Sequence, residues 1–335
     1  MPLERYGVLK GSVVDARRED DPDSPHYQLH VRADDVSYRV AINVKSQLSP
    51  SELLFFLDDR FRHPLTADLP TLPHGFMELP HQPDGLALDF IRGNLFDRLQ
   101  LRPLPPDLPG QDNDLSDRIE HFAGRAALET ASEVYAFGER WGPEENANDK
   151  VFEFSPGNGV HDIHMNQGNA EQFARDDGVW QDGALLFRFP STEQWVAVFL
   201  AFQSQSWHTD DVTGHAVTEP GPLPGPADPD RVVRIVGALA NPIGPAPEAE
   251  TVTLLNASPE TVRLDGWQLA DRSKNKQSLT GEVASGGTVT IPARPPVQLG
   301  NRGGTITLLD DQGLKVDGVS YTEEQARREG WTLVF

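Results

Sequence analysis

The sequence predicts a strand-dominated protein of two domains: an α+β, strand-rich N-terminal domain and an all-β C-terminal sandwich. Three observations carry this. First, 28 prolines and 29 glycines are spread among short apolar runs, which favours many turns and short strands over long helices. Second, "VTEPGPLPGPADPD" at 217–230 holds five prolines and no aromatic residue, the composition of a semi-rigid linker. Third, the chain beyond it repeats short β-type runs separated by turn residues, over about 100 residues, as a two-sheet sandwich requires. The expected boundaries are 1–216, 217–230 and 231–335. With 335 residues and 38% hydrophobic content, each part is large enough to bury its own core.

The N-terminal elements follow from pattern. In "HYQLHVRADDVSYRVAINVKSQ", Asp34 and Asp35 read as a two-residue turn, so paired positions sum to 69: Val31 faces Tyr38, Leu29 faces Val40 and Tyr27 faces Ile42. That face is apolar. The other carries His26, Gln28, His30 and Arg32 against Arg39, Ala41, Asn43 and Lys45, with His26 opposite Asn43 and Lys45 diagonal to it. Taken alone, this face reads as solvated. "SPSELLFFL" carries a capping box from Ser49 to Glu52 and predicts a short helix. "HPLTADLPTLPHGFMELPHQPDG" is too rich in proline for regular structure, and its His63, His74 and His81 read as loop residues. A second helix begins near Asp114 or Ser116 with Ile119, Phe122 and Ala126 on one side. "EVYAFGERWG" reads as a strand and "VWQDGALLFRF" as a hairpin turning at Asp182-Gly183. "QWVAVFLAF" is apolar on both faces, the mark of a central strand, and it emerges at "QSQSWHTDD" to expose His208, Asp210 and Asp211.

Composition removes whole function classes. The absence of cysteine excludes disulfides, thiolate zinc sites and a cysteine nucleophile. The net charge of -22 is uneven: residues 231–335 hold 11 Lys+Arg and 12 Asp+Glu, while the rest holds 18 and 39. An acidic first two thirds disfavours broad coating of nucleic acid but leaves room for a local site. The N-terminal stretch lacks the apolar core of a signal peptide, and no run reaches transmembrane length. A cytoplasmic protein with no membrane partner is therefore expected.

The densest polar cluster is "VHDIHMNQGN" at 160–169. Read as an extended segment, Asp162, His164 and Asn166 project together, while His161 points the other way with Ile163. Histidine beside aspartate suits a general base, an oriented tautomer or a metal ligand; asparagine suits substrate orientation. No HExxH or GxSxG signature accompanies them. Such residue types also serve polar turns, so function rests on whether this segment and the hairpin's polar face share a cleft.

Two resemblances add to this. The motifs "YGVLKGSVVD", "HYQLHV", "AINVKSQ", "VHDIHMNQGN", "GVWQDGALL" and "FQSQSWHTDD" make residues 2–211 similar to the bacterial YukJ-like family, a domain of unknown function; the likeness implies a shared site without naming its chemistry. "VTLLNASPETVRLDGWQLAD", "VQLGNRGGTITLLDDQGLKVDGVSY" and the ending "GWTLVF" resemble the lamin-tail domain, an immunoglobulin-like sandwich. That resemblance implies an accessory module with a protein partner. Lamin-tail modules accompany bacterial nucleases and other hydrolases, which points by analogy to phosphodiester chemistry.

The expected function is a hydrolase, a metal-assisted phosphodiesterase or nuclease acting on nucleic acid or a smaller phosphodiester. His164 serves as base or metal ligand, Asp162 as ligand or orienter, Asn166 as substrate orienter and Lys45 as stabiliser of negative charge. His26 and His208 are candidates for the leaving-group acid, with Asn43 and His161 beside them. The ion would be Mg, Mn or Zn on Asp162 and His164. The alternative is a non-enzymatic ligand-binding or assembly protein; amide or ester hydrolysis lacks a serine in an elbow context.

Overall fold

The computed structural model describes residues 5–19, 26–45, 53–79, 94–97, 100–104, 114–162, 183–202, 232–244 and 249–335. The linker at 217–230, the Ser49–Glu52 capping box and the first arm of the hairpin at Gly183 lie outside these. The N-terminal part contains β1 (Tyr6–Arg18), β2 (His26–Ala33), β3 (Val36–Asn43), β4 (Leu53–Asp58), α1 (Leu65–Asp68), β5 (Gly75–Glu78), β6 (Arg102–Pro103), α2 (Asp114–Leu128), β7 (Glu133–Glu144), β8 (Gly157–His161), β9 (Gly183–Phe189) and β10 (Gln194–Phe202). Among the described residues the strands form one sheet in the order β5-β1-β2-β3-β8-β7-β9-β10-β4-β6.

An additional pairing of β1 with β7 closes β1, β2, β3, β8 and β7 into a five-stranded ring. β1 joins the ring on both sides because its Tyr6–Gly11 half pairs with β7 and its Ser12–Arg18 half with β2, with a register shift between Val13 and Asp15, while β5 pairs with Gly7–Lys10. The ring contains one parallel pair, β3 with β8, where Ala41 stands opposite His161. The predicted hairpin holds in every rung, from His26↔Asn43 through Val31↔Tyr38 to Ala33↔Val36.

Apolar residues alternate between two cores, as the pleat requires. Leu29, Val31, Val134, Phe187, Val196 and Val198 join Leu115, Ile119, Phe122 and Ala126 of α2 in one. Tyr135, Phe137, Leu186, Ala197 and Phe199 join Leu65 of α1 with Leu69 and Leu72 in the other. The helix predicted near Asp114 and the central strand predicted at "QWVAVFLAF" are thus both present, β10 lying between β9 and β4. The helix predicted from "SPSELLFFL" is corrected: Leu53–Asp58 is a strand, paired along its length with Ala197–Phe202. Leu54 enters one core while Phe55 and Leu57 pack on the other, so a period of two and a waiting sheet edge override the local capping signal.

The C-terminal part contains β11 (Val233–Leu239), β12 (Thr251–Asn256), β13 (Val262–Arg263), β14 (Gln268–Ala270), β15 (Lys276–Ser278), β16 (Glu282–Val283), β17 (Thr288–Pro292), β18 (Gly303–Leu309), β19 (Lys315–Thr322), α3 (Glu323–Ala326) and β20 (Leu333–Val334). Two antiparallel four-stranded sheets, β17-β12-β11-β20 and β15-β14-β18-β19, share one core containing Val252, Leu254, Trp267, Ile306 and Leu308. The whole is a mostly-β fold of two parts. Asn94 fastens one to the other: held at a positive φ of 51° and 3% exposed, it donates through Nδ2 to Ile306 O, Thr307 Oγ1 and Val319 O at 3.1, 3.1 and 3.2 Å. Its Oδ1 accepts from Lys315 Nζ. Gly318 leaves the space for it, since a Cβ there would stand 2.1 Å from Asn94 Oδ1.

Candidate functional site

The first rung of the β2–β3 hairpin and the end of β8 meet. His26 and His161 face each other with Nε2 atoms 3.0 Å apart and rings nearly perpendicular, at 84°. Directly beside them, Asp162 is 4% exposed and its carboxylate accepts from Asn43 twice, from the backbone N at 3.0 Å and from Nδ2 at 3.1 Å. Each imidazole has a carboxylate on its Nδ1 side: Glu19 Oε2 lies 3.7 Å from His26 and Asp162 Oδ1 lies 3.5 Å from His161.

Backbone geometry explains this convergence. The parallel β3–β8 pairing sets His161 level with Ala41, and Asp162 N donates to Ala41 O at 3.1 Å. Two glycines let the segment pass: a Cβ on Gly138 would come within 2.0 Å of His161 O, and one on Gly183 within 2.6 Å of Asp162 O. The chain at 161–162 therefore runs closer to β7 and β9 than any side chain would permit.

A chain of hydrogen bonds extends the site under the hairpin. Gln28 Nε2 donates to Glu19 Oε2 at 2.6 Å, Arg39 donates to Gln28 Oε1 at 3.1 Å, and Arg39 Nε donates to Asp149 Oδ2 at 2.6 Å. Asp149 also accepts from the backbone of Val151 and Phe152 at 3.0 and 2.8 Å, which fixes the β7–β8 connection against the strands. The Arg39 guanidinium lies 4.7 Å from the Trp141 ring centre, and Gly159 leaves room for that indole. Farther along β2, His30 stacks on Phe152 and Phe154; burial, with the charge of Arg32, holds its pKa below the usual imidazole value.

The expectation of a solvated hairpin face is thus corrected. Gln28, Arg39 and Asn43 are buried: Arg39 bonds Asp149 of the β7–β8 connection, Asn43 bonds Asp162, and Gln28 bonds Glu19 and Arg39. What remains open is a cavity of about 460 Å³, lined by His26, Arg39, Glu139, Trp141, Lys150 and His161 among others. That volume suits a small ligand, and its walls carry both signs of charge.

Of the residues singled out from sequence, His26, Asn43, His161 and Asp162 come together here. His161 was expected to turn away from Asp162; it turns instead to His26, because Asp162 lies just past the end of β8, where strict alternation no longer applies. Lys45 is half-buried two residues beyond β3 and is not among the described lining residues. His164, Asn166 and His208, with the proposed His164 metal ligand, lie outside the described residues. His63 is structural: its Nδ1 accepts from Leu65 N at 3.1 Å as the chain enters α1. Trp141 and Asp149 escaped sequence reasoning, since each reaches the site through a long-range contact with Arg39, and Glu19 escaped it because the strand before His26 was not assigned; Gly138 and Gly159 were the available signal of close approach. Among the described residues, no group of three or more His, Asp or Glu side chains is set to hold a metal, and no helix is long and apolar enough to cross a membrane.

The strand ring and its half-buried, carboxylate-flanked histidine pair lie within the first 214 residues. Residues 1–214 match the family described as "Uncharacterized conserved protein (DUF2278)", and the chain belongs to that family. It is 47% identical over 214 residues to the "Uncharacterized protein YukJ" of Bacillus subtilis (strain 168), an alignment covering 63% of this chain and 93% of that protein.

Proposed function

We propose that the N-terminal part is a hydrolase, a metal-assisted phosphodiesterase, with the His26–His161 pair as its proton-handling group. The single observation that supports this is the pair itself: two imidazoles in contact at Nε2, each with a carboxylate on its Nδ1 side, opening on a ligand-sized cavity. Nitrogens 3.0 Å apart cannot straddle a phosphorus, so they act together on one side of it. A bare Nε2 takes the proton of a water as its oxygen bonds to phosphorus, and the proton passes to the leaving oxygen as the P–O ester bond breaks. Asp162, held by Asn43, orients His161; Lys150 and Arg39 supply positive charge to the phosphate. A divalent ion, Mg, Mn or Zn, would lower the pKa of the attacking water. The cavity volume favours a small phosphodiester over a long nucleic-acid strand.

The ring β1-β2-β3-β8-β7, with α2 between β3 and β7, resembles a Greek-key barrel of the OB type, whose second and third strands and flanking loops hold ligands. That likeness equally suits a non-enzymatic ligand-binding protein, the second reading. The finer architecture belongs to the same proposal: residues 1–216 as an α+β catalytic domain, 217–230 as linker, and 231–335 as an immunoglobulin-like lamin-tail sandwich for a protein partner, in a cytoplasmic protein. Two sheets over one core with Trp267 inside it support the sandwich.

The test is turnover by the full chain on an aryl phosphodiester, cyclic dinucleotides and short oligonucleotides, with each metal. His26→Ala and His161→Ala should each lower turnover about a hundredfold or more, with the exposed His121→Ala unchanged. Ligand binding without turnover on any phosphodiester would favour the binding protein; full activity in His161→Ala would remove the pair from the mechanism.

A further inference from the structure

The contact between the two imidazoles poses a chemical question. A carboxylate on the Nδ1 side of a histidine favours the tautomer with its proton on Nδ1. Glu19 Oε2 and Asp162 Oδ1 lie 3.7 and 3.5 Å from the Nδ1 atoms of His26 and His161, too far for a strong hydrogen bond, and their charge favours that tautomer. In it both Nε2 lone pairs face one another across 3.0 Å, whereas a proton on one Nε2 makes the contact an N–H···N hydrogen bond. Two such lone pairs repel unless a cation lies between or beside them.

We infer that the Nε2 atoms of His26 and His161 are ligands of one transition-metal dication of the zinc class. Bonds of about 2.05 Å from two nitrogens 3.0 Å apart meet at one point with about 94° between them, which such an ion accepts. Imidazole pairs select zinc, nickel or copper over magnesium, whose ligands are oxygens. The surroundings fit: Glu19 is fixed by Gln28, Asp162 by both nitrogens of Asn43, and Glu139 adds a further negative charge to the lining. These are outer-shell partners that set ring orientation, and the remaining coordination positions open to the cavity for water or a phosphate oxygen. The inference deepens the hydrolase reading by siting its ion on His26 and His161 in place of Asp162 and His164. With both Nε2 lone pairs on the ion neither imidazole takes a proton, so the ion would activate the water in place of a bare Nε2, and the inference rests on that reading only for the use of the ion.

The experiment is zinc titration of the metal-stripped full chain against a chromophoric chelator, with cobalt(II) absorption as the spectroscopic readout. One equivalent should bind, with magnesium failing to compete. His26→Asn and His161→Asn should each weaken zinc about a hundredfold, Glu19→Gln about tenfold as an outer-shell change, and His121→Ala not at all. Thermal unfolding of each variant separates lost ligation from lost fold, and Glu19→Gln tests the site with both imidazoles in place. A pair bridged only by a proton gives no saturable zinc binding, and that result, or equal affinity in wild type and both histidine variants, overturns the inference. Zinc binding without phosphodiester turnover leaves the inference standing and removes the hydrolase; chelator-resistant turnover without zinc binding does the reverse.

Discussion

Two glycine-to-alanine changes in the same domain should act in opposite directions. At Gly138 on β7, an added Cβ would stand 2.0 Å from His161 O, 2.7 Å from its carbonyl carbon and 2.9 Å from Asp162 Cα, all backbone atoms. Ordinary contact begins at 3.4 Å, so β8 must retreat by 3.4 − 2.0 = 1.4 Å at the residue that carries the site. Overpacking of this kind costs about 1–3 kcal/mol. A retreat of that size also separates two nitrogens now 3.0 Å apart, so turnover and zinc affinity should fall with stability. At Gly124 in α2 a Cβ meets nothing within 4 Å. There alanine should stabilise by about 1 kcal/mol, since glycine in a helix interior leaves more backbone entropy to lose. Urea unfolding of both variants, followed by fluorescence and circular dichroism, measures the two signs; zinc titration and the phosphodiester assay report on the site. Wild-type stability and an unaltered site in Gly138→Ala would refute the close β7–β8 approach on which the site geometry depends.

Asn94→Ala removes three donated hydrogen bonds and an acceptor of Lys315, so it should weaken the junction of the two parts by about 3 kcal/mol, roughly a hundredfold in the docked population. Two calorimetric transitions in the variant where the wild type gives one would be the signature; coincident transitions in both would count against the peg. Acid unfolding tests Glu133, which bonds Arg188 and Tyr135 at 2.7 Å each and pairs with Lys10 at 3.0 Å. Burial pushes its pKa up, but Arg188, Tyr135 and Lys10 together outweigh that and leave it below the ordinary glutamate value. The stability it contributes is therefore fully present above about pH 4.5 and is lost as pH falls through the lower folded value. Glu133→Gln should be less stable at neutral pH and show a shallower decline on acidification; parallel pH profiles for the two proteins would disprove the assignment. Lastly, Arg39→Met should loosen the β7–β8 connection, because Asp149 then loses its buried partner 2.6 Å away, and hydrogen exchange at Val151 and Phe152 should rise. Unchanged protection there would show that the ion pair does not hold the connection.

What the sequence determined by itself was local order. Alternation in "HYQLHVRADDVSYRVAINVKSQ" sets every rung of β2 and β3, because a one-residue slip would expose Tyr27, Leu29 and Val31. The 3.6-residue spacing of Leu115, Ile119, Phe122 and Ala126 makes α2, and apolar residues on both faces put β10 inside the sheet. The same sequence named His26, Asn43, His161 and Asp162 as polar residues in search of partners. Only the tertiary structure decided which partners they found. The parallel β3–β8 pairing brings together segments more than a hundred residues apart, within the same ring that the β1–β7 pairing closes. The strand at Leu53–Asp58 was likewise settled by the open edge of β10, against its own capping signal. Periodicity along a chain records which face of an element is buried; which element covers that face depends on the joint burial of all of them, and that no single stretch can specify.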